Sequence, residues 1–433
     1  MKRGIIFAAG WWLLFGTSLF AQNITLSPYS RYAIGDIFSS TTTRNAGMGG
    51  IGVATDNYFS INRVNPASYA DIRYTTMDLS AFGQFNQMSS ETASISPFNA
   101  GFHDAAFAFP SNNGGPSFVF GFAPYSSVGY EVRNQREFNI EEELYTEETN
   151  YRGQGGLNQA FLGVGGKLLK GKLRVGGNFQ YIWGNTQYNW LTQILQDTLP
   201  ASQFETIQVQ ENVFIGGVNG QLGLMFVDTI NSTNGILLRV GGTAETTVGM
   251  GGDRLRAFTN GLISDTVGTF EEGPFSMPLK IGGGLMLHRP GRWSFGADVV
   301  YQDWTDFEYF SSQPELGPEI RIGLGGEIIP NFAGEKYHQR FAYRFGAFYK
   351  QTYIQFNGTP VNDLGLTFGI GLPAGSKGNN RFNPGRATSR INISAELGRR
   401  GAVTENLPLE QLYARLRLGI SINDRWFVRR VVD

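Results

Sequence analysis

Apolar and polar residues alternate with a period of two through most of the chain. From Leu173 one side reads Leu173, Val175, Gly177, Phe179, Tyr181 and Trp183, and the other Arg174, Gly176, Asn178 and Gln180. Trp293, Phe295, Ala297, Val299 and Tyr301 alternate with Ser294, Gly296, Asp298 and Gln302 in the same way. The pattern returns at Phe341–Tyr349, at Ile391–Leu397 and at Leu412–Ile422. This period places one apolar and one polar face on each strand. About fourteen such strands are predicted, an even number that returns the chain to the side where it began. They lie near 74–86, 104–111, 116–129, 157–169, 171–186, 205–227, 234–249, 277–289, 291–305, 318–329, 338–351, 362–372, 386–399 and 409–428.

A soluble β-sandwich alternates too, so alternation alone does not decide. The connections do more. Even ones include tight turns such as Lys170-Gly171 and Arg289-Pro290-Gly291. Odd ones include polar runs near 87–103, 130–156, 187–204 and 250–276, expected as long outer loops, with short turns on the periplasmic side. The even gap near 373–385 breaks this parity. Tyr181, Trp183, Trp293, Tyr301, Trp304 and Trp426 fall near predicted strand ends, where interface girdles lie. The expected fold is all-β: a transmembrane antiparallel barrel, closed because lipid offers no partner to an open sheet edge.

Composition sharpens this. Charged residues make up 16% of the 433 and aromatics 14%; glycine, 58 of 433, is close to twice its ordinary share of ~7%. A net charge of -1 argues against a nucleic-acid partner. The absence of Cys excludes disulfides, thiolate metal sites and Cys nucleophiles. His103, His288 and His338 are scattered and form no catalytic constellation with a serine, so an enzyme is not expected. The acidic group Glu141, Glu142, Glu143, Glu147 and Glu148 lacks a calcium-loop spacing and reads as a solvated loop. No cofactor and no metal are expected.

Lys2 and Arg3 precede an apolar stretch to Phe20 and a small residue, Ala21, the layout of a signal peptide over residues 1–21; the rival reading is a membrane anchor. Residues 22–73 do not alternate. They precede a barrel domain at 74–433 and are expected to fold back as a hatch in the lumen, the alternative being a periplasmic domain. With the apolar faces turned outward, the lumen would carry a polar network of Arg174, Arg239, Glu245, Asp298, Arg344, Arg390, Glu396, Arg415 and Arg417.

The Gly-rich stretch Ala46–Ala54, Asn65-Pro66-Ala67, Gln154-Gly155-Gly156-Leu157-Asn158, Asp298 with Trp304, and Thr367–Pro373 occur in an order that resembles the FadL-type long-chain fatty-acid transporters. The resemblance covers roughly residues 24–430. It implies a fourteen-stranded barrel closed by an N-terminal hatch, with Asn65, Pro66 and Ala67 matching the hatch motif. It also implies passage of hydrophobic small molecules across the outer membrane of a Gram-negative bacterium, through the lumen and a lateral opening. Ser27–Tyr32 and Asp424–Phe427 look like the Bacteroidota branch, whose relatives include accessory barrels of type 9 secretion and barrel-assembly machines. The partners implied are therefore outer-membrane lipid, a hydrophobic ligand and other outer-membrane proteins. Two functions follow: a hatch-gated transporter, or a non-transporting subunit of a larger complex.

Overall fold

Two alternating runs joined by a short turn pair as a hairpin, and successive hairpins build an up-and-down sheet. The computed structural model describes residues 25–55, 58–111, 115–140, 143–196, 206–260, 265–305, 307–310, 315–374 and 389–424. Fourteen long strands follow one another as a ring. They are β1 Thr75–Ser89, β2 Phe98–Phe109, β3 Ser117–Ile140, β4 Glu143–Leu168, β5 Leu173–Gln196, β6 Thr206–Asn231 and β7 Ile236–Asn260. The ring continues with β8 Lys280–Arg289, β9 Trp293–Asp303, β10 Pro318–Ile328, β11 Ala342–Phe356, β12 Thr359–Pro373, β13 Arg390–Val403 and β14 Pro408–Asp424. Each pairs antiparallel with the next, and β14 returns to β1, with Asp424 opposite Thr75 and Glu410 opposite Ser89. The alternation holds: on β6, Leu222, Leu224 and Phe226 are exposed outward, while Gln221 and Met225 are buried inward. Asn357-Gly358 joins β11 to β12 with positive φ at both residues, as a two-residue hairpin turn requires.

The polar outer runs differ from expectation. β3 to β7 continue through most of them, so Phe138 pairs with Tyr145, Tyr145 with Gln196, and Ile207 with Asn260. Every residue carries the backbone groups that make a ladder, so a hairpin rising above lipid needs no apolar face. A further strand, Asp265–Ser276, pairs with the outer part of β7 and stands above the ring. The rim is lopsided as a result: β3 to β7 have 24 to 26 residues, whereas β8 to β10 have 10 or 11.

At the end of the ring opposite the long hairpins, Leu169–Gly171 and the turn at Gly291 are short, as expected. Trp293 and Tyr301 lie near the ends of β9, whereas Tyr181 and Trp183, expected at a strand end, fall in the middle of β5 because that strand runs on to Gln196; their rings stack at 5.5 Å. Trp304 does not join them. It is fully buried and stacks on Tyr353 at 4.6 Å inside the barrel, because the chain turns inward past Asp303 over the low rim. His103, expected in a loop, is buried in β2. The signal peptide, residues 375–385 of the even connection near 373–385, and Trp426-Phe427 lie outside the described residues.

Candidate functional site

The lumen is the candidate site, and residues 25–72 run through it. Three short turns shape that segment: Pro28–Arg31, Thr43–Ala46 and Pro66–Asp71. The second is capped by Thr42, whose hydroxyl accepts from the Asn45 N–H. The third opens with Pro66 in its first turn, where a missing N–H costs nothing. Asn65 caps it and does more. Its Oδ1 accepts from Ala67 N at 2.9 Å, and its Nδ2 donates to Val53 O at 2.6 Å and to Leu224 O of the wall at 3.1 Å.

The wall is bare where this turn rests. Gly165, Gly176 and Gly223 are register partners across β4, β5 and β6. A Cβ on Gly176 would lie 2.3 Å from Pro66 O, and one on Gly223 would lie 2.1 Å from Asn65 Oδ1. A second bare patch, Gly325 and Gly346, lets Met48 and Gly49 approach β10 and β11 equally closely. Glycine in these strands is explained by this close approach.

Charges fasten the segment. Glu327 of β10 pairs with Arg44 at 2.9 Å and with Arg344 of β11 at 2.7 Å. Asp71 pairs with Lys167 at 2.9 Å and with Arg174. Asp298 accepts from Gly52 N at 2.5 Å and Val53 N at 2.7 Å. At the outer end Asp36 pairs with Arg400 at 2.7 Å, and the Tyr29 hydroxyl donates to Leu409 O. Burial pushes the Tyr29 phenol up to about 12 against the pull of the Arg400 guanidinium, so it stays a protonated donor.

Above the middle of the barrel the lumen is packed with the chain's own apolar side chains. Tyr29 and Ile34 of the plug meet Tyr125, Trp304, Phe307 and Tyr353 in one buried cluster. Below it lies a cavity of about 260 Å³. Its lining includes Glu245, Asp298, Glu396, Arg415 and Arg417, together with Arg321 and Lys350. Glu396 holds Arg415 at 3.1 Å and Arg417 at 3.5 Å, and Glu245 holds Lys280 at 2.5 Å.

The wall itself has a breach beside this cavity. β2 and β3 pair only over Ala105–Phe109 and Phe118–Phe122. Beyond, β3 bulges between Pro124 and Ser126, and its freed edge takes a plug strand instead: Asp36 and Ile37 pair with Ser127 and Ser126. Phe38 N donates to Tyr125 O at 2.9 Å. Phe102 and Phe122 stack at 6.0 Å across the lipid side.

The expected lumen residues thus divide. Arg174 and Asp298 bond the plug directly, and Arg344 shares Glu327 with the plug's Arg44; Asp298 also joins Glu245, Glu396, Arg415 and Arg417 around the cavity. Arg239 is buried in β7, and Arg390 lies over the Phe332 ring at 5.6 Å; neither lines the cavity. Sequence reading missed Arg44, Asp71 and Glu327. Glu327 shares the inward parity of Gly323 and Gly325 on a clear strand, a signal that was present; Arg44 and Asp71 sit where no period exists.

A sequence model of the family described as BamG matches residues 1–433. No curated protein matches the chain. Among solved structures, the P. putida toluene transporter TodX is similar at 15% identity and TM-score 0.58, over 90% of this chain and 99% of that one. A Pseudomonas aeruginosa FadL homologue is similar at 12% identity and TM-score 0.59, over 89% and 98%. The Ralstonia pickettii toluene transporter TbuX is similar at 14% identity and TM-score 0.56, over 88% and 98%. What the chain shares with these proteins is the fold, a closed antiparallel barrel.

Proposed function

The chain belongs to the BamG family, and from that membership we propose that it works as a sealed, non-transporting barrel within a larger outer-membrane assembly, of the secretion or barrel-assembly kind to which its sequence resemblance points. One observation carries the reading: among the described residues, the plug and a buried apolar cluster close the outer part of the lumen, and the cavity left holds ion pairs. Its outer half is filled by Tyr29, Trp304, Phe307 and their neighbours, and the remaining cavity of about 260 Å³ carries the ion pairs of Glu245 and Glu396 beside Phe38, Phe82 and Phe348. An apolar molecule gains ~25 cal/mol per Å² only where it leaves water for apolar surface. Here it would have to desolvate paired carboxylates and guanidiniums, which costs several kcal/mol per ion. Gentle solubilisation of outer membranes followed by affinity recovery of the chain tests this. Stoichiometric recovery of other outer-membrane proteins is expected. Uptake of labelled toluene or oleate by vesicles holding the chain alone would overturn it.

The breach between β2 and β3 favours a second reading, transport of a hydrophobic small molecule, the activity that the TodX and TbuX descriptions state for those proteins. In that reading residues 22–73 are the hatch, Asn65, Pro66 and Ala67 anchor it, and a ligand that prefers the displaced plug moves it. Asp36 and Ile37 would then be the part that must let go, since they occupy the freed edge.

A further inference from the structure

Most of the outer surface of the ring is furnished with Leu, Phe, Val and Ile, but one place at its upper edge is not. Trp183, Gly216 and Gly251 are register partners in one row across β5, β6 and β7. In the next row above, Phe214 lies opposite Asp253, and Asp253 opposite Glu272 of the strand Asp265–Ser276. These residues border an open groove of about 850 Å³.

Three features coincide in the groove. The glycine floor has no internal cause: a Cβ on Gly251 would meet nothing within 4 Å, and one on Gly216 would meet only the Tyr181 hydroxyl, at 3.8 Å. This is unlike Gly176 or Gly223, where the plug needs the space. A strand glycine without such a cause weakens the strand and leaves room for another chain to approach. Next, Asp253 and Glu272 are like charges directly opposite each other, an arrangement that destabilises a sheet. Both are exposed, and neither has an ion pair among the described residues. Finally, Trp183 borders the floor half-buried, with Tyr181 stacked on it at 5.5 Å and Phe122 at 6.0 Å, and its remaining ring surface is open to a cation. Two carboxylates repel lipid phosphates. They suit a guanidinium, which can fork onto a carboxylate and lie flat on an indole.

We propose that this groove docks a partner outer-membrane protein, which lays an arginine-bearing segment over Gly216 and Gly251 between Trp183 and the Asp253–Glu272 pair. The proposal rests on the reading of the chain as an assembly subunit and names the surface used.

The test is photo-crosslinking in cells with the full-length chain. A benzophenone side chain replaces Phe214, or Leu366 on the opposite wall as a control. One protein adduct, mapped to an arginine-bearing segment, is expected from position 214 and none from 366. Asp253→Lys with Glu272→Lys should cut the adduct about tenfold, the effect of a lost charge pair, and Arg→Glu at the mapped arginine should restore it. Gly251→Val fills the floor without altering charge, its Cβ meeting nothing within 4 Å, and should also abolish the adduct. An adduct to lipid only, equal adducts from both walls, or a yield indifferent to charge reversal would overturn the groove. If co-purification of a partner survives those results, the subunit reading stands and only this surface falls. If the wild-type chain recovers no outer-membrane protein at all, both fall.

Discussion

Single residues carry the junction of plug and wall. Asn65 bonds three backbone groups, so Asn65→Ala removes a partner from Ala67 N, Val53 O and Leu224 O in a buried place. Each such loss costs about 1–3 kcal/mol. The expected outcome is an earlier urea transition in detergent and faster proteolysis within residues 25–72. Gly223→Val should do at least as much, because its side chain would occupy the space of Asn65. Glu327→Gln leaves two buried guanidiniums, Arg44 and Arg344, without their anion. Breaking a buried pair costs about 3–5 kcal/mol, and Arg44→Met in the same chain should recover part of it, read from the same urea transition. None of these couplings was legible beforehand, since they join residues such as 44 and 327 that no local period connects. The wall positions were legible, because parity on a strand says which way each side chain points.

Strands were the legible elements. All fourteen ring strands coincide with predicted alternating runs, because burial against lipid on one side and a polar plug on the other imposes period two. Their outer ends were not legible, since above the lipid no face has to be apolar. The two-residue strand Asp36–Ile37 was likewise invisible; it exists only because β2 leaves β3 unpaired beyond Phe122. That pairing is testable. Ile37→Cys with Ser126→Cys places two thiols at directly opposed antiparallel positions, within the usual Cα range of about 4.4–6.8 Å for a disulfide. The native chain has no cysteine to compete. The bridge should form on oxidation and shift the gel mobility. Reducing it should leave vesicle uptake of labelled toluene unchanged; an increase on reduction would move the chain to the transporter reading.

For the molecule as a whole, the plug decides what the barrel can conduct. In planar bilayers the intact chain should show no steady conductance, and deletion of residues 25–72 should open steps that rise with salt concentration, because a fourteen-stranded ring is wide enough to hold water. Closure also has a bearing on assembly. The seam from Thr75–Asp424 to Ser89–Glu410 unites the start and finish of a long polypeptide. Joining such distant pieces exacts its entropy before any seam bond forms, which makes folding slow. Until then two raw edges face a solvent of hydrocarbon that cannot hydrogen-bond to them. A nascent chain lacking only its last strand is therefore no thirteen-fourteenths of a barrel: it is an open gutter, seeking in a neighbour the edge it was denied by itself.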